Sequence, residues 1–242
     1  MSSATETSPW RYARLGGALY LIIILCGAFA EGFVMDKLVV SGDAVATAHN
    51  ILAAPSLWRL GVASNVLLVM CAVPLLWIEY QLLKPVSKSL AQLSLLFNGV
   101  SLAVEAVSKV FLLLVMPILA STATLPDGSG LGELPLLATL ALKSHNIAFN
   151  VALLFFGCTC LVNGYLIFRS GYFPRFLGVL LQIAGGGYLV ACTAALFAPA
   201  LAAVLLPAIL LLPLVGELAL CLWLLLKGVN RPQWQVRVSA SA

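Results

Sequence analysis

Apolar stretches long enough to cross a lipid bilayer recur six times along the chain, and most of the polar positions fall between them. A span needs roughly 20 predominantly apolar residues. Windows at about 12–35, 57–83, 90–119, 136–168, 175–198 and 201–227 meet that length. The pattern predicts an all-α, polytopic integral membrane bundle of six transmembrane helices, forming a single domain over residues 1–242. Pro117, Pro174, Pro199, Pro207 and Pro213 stand at span ends or at expected bends in the last helix. No internal repeat is apparent, so an inverted-repeat transporter fold gains no support.

Between the spans, two connections carry their own signals. The segment Asp36–Pro55 is longer than a turn, and its Ala44–Leu52 part is helix-prone with Asp43 as the expected N-cap. That helix is expected on the membrane surface or over the mouth of the bundle. Thr124, Asp127-Gly128, Ser129-Gly130 and Gly132 read as solvated turns.

Charge placement adds an orientation. Arg11 and Arg14, Lys84 and Lys88, Arg169 and Arg175, and Lys227, Arg231 and Arg237 fall in alternate connections, which puts both termini in the cytoplasm by the positive-inside rule. The first span is longer than the roughly 7–15 residues of a signal-peptide core and is expected to be retained, despite the Ala28-Phe29-Ala30 within it. A bacterial cytoplasmic (inner) membrane is the expected location.

Composition excludes the soluble alternative. Of 242 residues, 62% are hydrophobic and 9% charged, with a net charge of +4, against about 25% charged in a soluble domain. Mean hydropathy is +1.07. The six cysteines all lie in apolar stretches, without disulfide or zinc-site spacing, and are read as packing residues. No metal, cofactor or nucleic acid is expected as a partner; membrane lipids and a lipophilic small molecule are. Gly185-Gly186-Gly187 lacks the strand and Lys-Ser/Thr of a phosphate loop, and is read as a close helix contact.

Ionisable side chains inside a span cost roughly 2.5–3.5 kcal/mol each on insertion scales, so they normally face the protein interior. Glu31, Glu79, Glu105, Lys109, Lys143, His145 and Glu217 are of this kind, with Asn65, Asn98, Asn146, Asn150 and Gln182 among them. The third span has the sharpest pattern. Ser94, Asn98, Ser101, Glu105, Ser108 and Lys109 recur at helical spacing on one face, and Glu105 and Lys109 stand one turn apart in the order that favours an ion pair. Such a stripe fits either a polar cavity or a structural ion pair with serines bonded to the preceding turn. On the fourth span Lys143, Asn146 and Asn150 share a face from which His145 turns away. Glu31 and Arg59, at neighbouring span ends, are expected to join these groups around one polar chamber. Glu217, beyond Pro213 and Gly216, is expected to be neutral or paired with a base such as Lys109. Glu79 is expected to reach Lys84 or interfacial water.

Several segments resemble the bacterial family catalogued as domain of unknown function 4386. They are Ala13–Leu21 with Gly27–Glu31, Gly42–Ala44 with Ala48–Ile51 and Trp58–Gly61, Leu83–Val86, Phe155–Gly157 with Leu166–Gly178, and Gly216–Leu218 with Leu222–Trp223 and Lys227–Gly228. The resemblance covers nearly the whole chain, and its most specific part is Arg169–Gly178. It implies a small multi-span membrane protein with Glu31, Arg59 and Glu217 at matching positions, and no particular activity.

The residues support three readings. In the first, an intramembrane enzyme does acid–base chemistry (isomerisation, cyclisation or hydrolysis) on a lipid or isoprenoid, with Glu105, Lys109 and Glu217 catalytic. Glu31, Arg59, Asn65, Asn98, Lys143, His145, Asn146 and Asn150 would then bind substrate. In the second, the same groups form the relay of a small-solute carrier, for which a homodimer would supply the missing repeat. In the third, the stripe only packs helices in a non-catalytic membrane partner or sensor.

Overall fold

The computed structural model describes residues 9–121 and 133–241, and all regular structure in them is helical. The Thr124–Gly132 turns lie outside the described residues. In chain order the elements are α1 (Pro9–Gly27), a π-helix (Ala28–Met35), α2 (Asp36–Leu38), α3 (Ala44–Ala53), α4 (Pro55–Leu83), α5 (Lys88–Ala120), α6 (Glu133–Ser170), α7 (Arg175–Phe197), α8 (Pro199–Ile209), α9 (Leu211–Leu226) and α10 (Arg231–Ser241). Five helices are long and apolar enough to cross a membrane: Pro9–Leu38, Pro55–Leu83, Lys88–Ala120, Glu133–Ser170 and Arg175–Phe197. A sixth is reached when the bent pair Leu211–Leu226 and Arg231–Ala240 counts as one span.

The distribution of side chains inverts that of a soluble protein. Leu96, Met70 and Leu140 are 66%, 66% and 59% exposed, while Lys109 and His145 are 3% and 0% exposed. Lipid is the solvent such a surface suits, and the chain is a polytopic helical membrane protein.

The sixth apolar window differs from its expectation. Instead of one helix over 201–227, α8 and α9 meet at a break at Leu210. Pro213 has no N–H to give the Ile209 carbonyl, and the next bond, from Leu214 N to Leu210 O, is stretched to 3.4 Å.

The chain packs as two compact units. One comprises residues 23–70 and 103–149, the other residues 1–22, 71–102 and 150–242. In the first, Val34, Leu38, Ile51, Trp58, Leu112 and Val115 belong to one buried apolar cluster. Helix α3 enters that cluster through Ala48 and Ile51, and Asp43 caps it by accepting a bond from Ala46 N at 2.8 Å. In the second, α6 and α7 meet through facing glycines. A Cβ on Gly185 would stand 2.7 Å from Gly157 O, and one on Gly178 would stand 2.5 Å from Gly164 O. Gly185 thus has the packing role expected of it, whereas Gly186 faces open space.

Candidate functional site

In the unit of residues 23–70 and 103–149, four ionisable side chains come together. Helix α5 supplies Glu105 and Lys109 one turn apart, with Lys109 Nζ 3.5 Å from Glu105 Oε1. The π-helix supplies Glu31, whose Oε1 lies 3.8 Å from Lys109 Nζ and 3.7 Å from His145 Nε2 of α6. Asn65 of α4 donates to the same Glu31 oxygen at 3.2 Å. π-Helical turns are rare and concentrate at functional positions; here the wider turn sets where Glu31 projects.

The imidazole is held in one sense. His145 Nδ1 lies 3.1 Å from the Ser108 carbonyl oxygen, which can only accept, so Nδ1 carries the hydrogen and Nε2 is directed at Glu31. Phe149 completes the setting, its ring stacked on His145 at 5.7 Å and lying under Lys109 Nζ at 4.3 Å.

Its contacts are also incomplete. At 3.5–3.8 Å they exceed hydrogen-bond length, and Lys109 Nζ and His145 Nε2, both buried, have no hydrogen-bond partner. Buried nitrogens in native proteins are nearly always satisfied. Of the four groups Glu31 is the accessible one, its side chain 34% exposed against 11% for Glu105. The arrangement therefore presents one carboxylate flanked by two unsatisfied nitrogens, a geometry able to receive a polar oxygen and exchange a proton with it.

An apolar groove of 470 Å³ runs along the same turns, lined by Trp58, Val62, Val66, Met70 and Leu112, with Arg59 the charged residue in its wall. Asn65 sits between Val62 and Val66, and Leu112 follows Lys109 by three residues.

A second polar cluster lies in the other unit. Glu217 accepts bonds from the hydroxyls of Tyr20 and Tyr188. Glu79 accepts from Asn163 Nδ2 at 3.1 Å, and Asn163 Oδ1 accepts from Ser94 Oγ at 2.6 Å. Glu79 and Glu217 are close enough to feel each other's charge.

Several expectations change on this geometry. The carboxylates beside Lys109 are Glu31 and Glu105, and Glu217 belongs with tyrosines. Glu79 bonds Asn163, while Lys84 donates to Gln81. All six residues of the α5 stripe are buried, but only Ser108 bonds the preceding turn, at Glu105 O; Ser101 donates across to Ala152 O at 2.8 Å. Asn98 is buried with its Oδ1 unpartnered. Arg59, Lys143 and Asn146 are exposed, and Asn150 is half-buried. His145, which turns away from Lys143 and Asn146, is thereby brought to Glu31. Tyr20, Tyr188, Asn163 and Phe149 were not singled out by sequence; the two tyrosines had a signal, lying mid-span rather than at an interface. Among the described residues no group of three or more His, Cys, Asp or Glu side chains is arranged to hold a metal ion.

Fold and buried charge together define a multi-pass helical membrane protein with ionisable groups in its interior. The chain belongs to the family described as Domain of unknown function (DUF4386), which it matches over residues 15–228. Over 116 residues it is 27% identical to an uncharacterised protein of Archaeoglobus fulgidus, a stretch covering 46% of this chain and 52% of that protein. The chain thus spans about half the length of the curated relative it matches. No solved structure matches it.

Proposed function

We propose that this protein is an intramembrane enzyme that performs acid–base chemistry on a lipophilic substrate, a lipid or isoprenoid. Its site is the quartet of Glu31, Lys109, His145 and Glu105. The observation that supports this reading is the pair of unpartnered buried nitrogens, Lys109 Nζ and His145 Nε2, beside the accessible carboxylate of Glu31. A substrate oxygen received by Lys109 Nζ has its developing negative charge held there. Glu31 takes a proton from the adjacent carbon and returns it to another, so the step is an isomerisation with no net change in protons or electrons. Glu105 balances Lys109 from behind and is a positioning residue. The apolar groove holds the hydrocarbon portion. Location in a bacterial inner membrane with both termini cytoplasmic belongs to the same reading, supported by the alternation of basic connections.

The test works on a substrate that has not been identified. Wild-type protein in nanodiscs of its source membrane's lipid extract is incubated in D₂O, and lipids are profiled by mass spectrometry. A lipid that gains deuterium with wild type and not with Glu31→Gln identifies substrate class and base together. Equal labelling with both proteins, or none with either, refutes the reading.

A small-solute carrier is the second reading, favoured by the presence of a buried carboxylate cluster in each of the two units. Acidification of pyranine-loaded vesicles that depends on both Glu31 and Glu217 supports that alternative.

A further inference from the structure

Nine cations in the unit of residues 1–22, 71–102 and 150–242 have no carboxylate partner in an ion pair among the described residues. Arg11, Arg14, Lys84, Lys88, Arg169, Arg175, Lys227, Arg231 and Arg237 all belong to it. Its described carboxylates are Glu79 and Glu217, bonded to Asn163 and to tyrosines. The ion pairs formed among the described residues all involve Lys109 or His145 of the other unit. Two of the unanswered cations even share one ring, with Arg14 4.3 Å and Arg231 5.3 Å from the centre of Trp10.

Helix α10 turns away from α9 by 100°. Gly228, at φ +70°, makes that turn possible, and a Cβ on it would stand 3.0 Å from Trp10 Cδ1. If α9 runs across the bilayer, α10 lies along its surface. Its sequence suits that position, with Arg231 and Arg237 on either side of Trp234 and Val236. Between the start of α10 and the Gly171–Pro174 loop is a cleft of 360 Å³, lined by Tyr172, Trp223, Lys227, Asn230 and Gln233. Both walls are fixed: Asn230 N donates to Tyr172 O at 3.4 Å, and the Tyr172 hydroxyl donates to Leu82 O at 2.6 Å. Lys227 and two side-chain amides supply donors and no carboxylate lines the cleft, while Arg175 and Arg231 adjoin it in sequence and the charge of Arg237 reaches Tyr172.

We propose that this cleft seats the phosphate headgroup of an anionic phospholipid, with α10 lying in the adjoining leaflet. A phosphate diester supplies the missing negative charge, and Trp223 and Trp10 suit the depth of the headgroup–acyl boundary. The inference is independent of the chemistry proposed at Glu31.

The experiment exposes purified full-length protein to equimolar phosphatidylglycerol and phosphatidylcholine and reads retained lipid by native mass spectrometry. Wild type is expected to keep phosphatidylglycerol selectively. Lys227→Gln and Arg231→Gln are each expected to lower its affinity about fivefold, while Lys37→Gln, at an exposed position, leaves it unchanged. Lys227→Arg, which keeps the charge, is expected to keep the selectivity and separates loss of charge from loss of fold. Equal retention by wild type and both Gln variants overturns the proposal. Displacement of the lipid by inorganic phosphate also overturns it, assigning the cleft to a free anion.

Discussion

Replacing Lys109 by methionine removes the ammonium while keeping most of the side-chain volume. At 3.5 Å from Glu105, and with an effective dielectric of about 20, the attraction lost is about 5 kcal/mol. The protein also avoids desolvating the ammonium, so the net cost is that of a buried carboxylate left without its cation, about 3–5 kcal/mol. Glu31 adds little, because its side chain is 34% exposed and the 3.8 Å contact is screened, leaving under about 1 kcal/mol. The partner variant Glu105→Gln removes the stranded charge. Lys109→Met/Glu105→Gln is therefore expected to be more stable than Lys109→Met alone, with a coupling of about 2–3 kcal/mol in the double-mutant cycle. Equilibrium unfolding in mixed micelles, followed by circular dichroism as the SDS fraction rises, measures all four proteins. A coupling below about 0.5 kcal/mol refutes the claim that the two groups form a working pair in the interior.

Three further outcomes are expected. Gly178→Ala puts a Cβ 2.5 Å from Gly164 O; it should cost about 1–3 kcal/mol in the same unfolding assay, since backbone must move. Gly186→Ala, where a Cβ meets open space inside α7, should instead be neutral or stabilise by up to about 1 kcal/mol. Tyr188→Phe deletes one donor to Glu217 and should cost about 1–3 kcal/mol, an effect reduced when Glu217→Gln, a neutral acceptor, is already in place. Burial pushes the Tyr172 phenol above its ordinary value, with nearby Arg237 opposing in part. A folded-state value raised above the unfolded one stabilises fully below about pH 10 and is lost as pH rises beyond it. Tyr172→Phe should remove that alkaline decline from a plot of stability against pH.

Much of the architecture was legible in the sequence because it rests on one-dimensional signals. Span length, the three- and four-residue recurrence from Ser94 to Lys109, and Asp43 before a helix-prone run depend only on local spacing. The break at Leu210 was partly visible in Pro213, though not that it separates two helices. What spacing could not reveal is which faces of different helices meet. Lys109 joins Glu31 rather than Glu217 because of how the π-helix, α5 and α6 pack. His145 turns away from the polar face of its own helix, and its partner lies on another. Asn163 carries no periodic signature at all, and its role depends on Ser94 and Glu79 approaching from two other helices.

The π-helix at Ala28–Met35 makes this segment unforgiving of changes in length. Elsewhere a surface loop can gain or lose a residue at little cost. Here, deleting one residue between Glu31 and Val34 while both ends stay helical would remove a residue from the wider turn and rotate Glu31 relative to the Val34 core. That rotation carries the carboxylate away from Lys109 and His145 without altering a single charged side chain. A lineage could therefore switch the quartet off by losing one codon in this stretch, and natural length variants there would be a direct record of which descendants still use it.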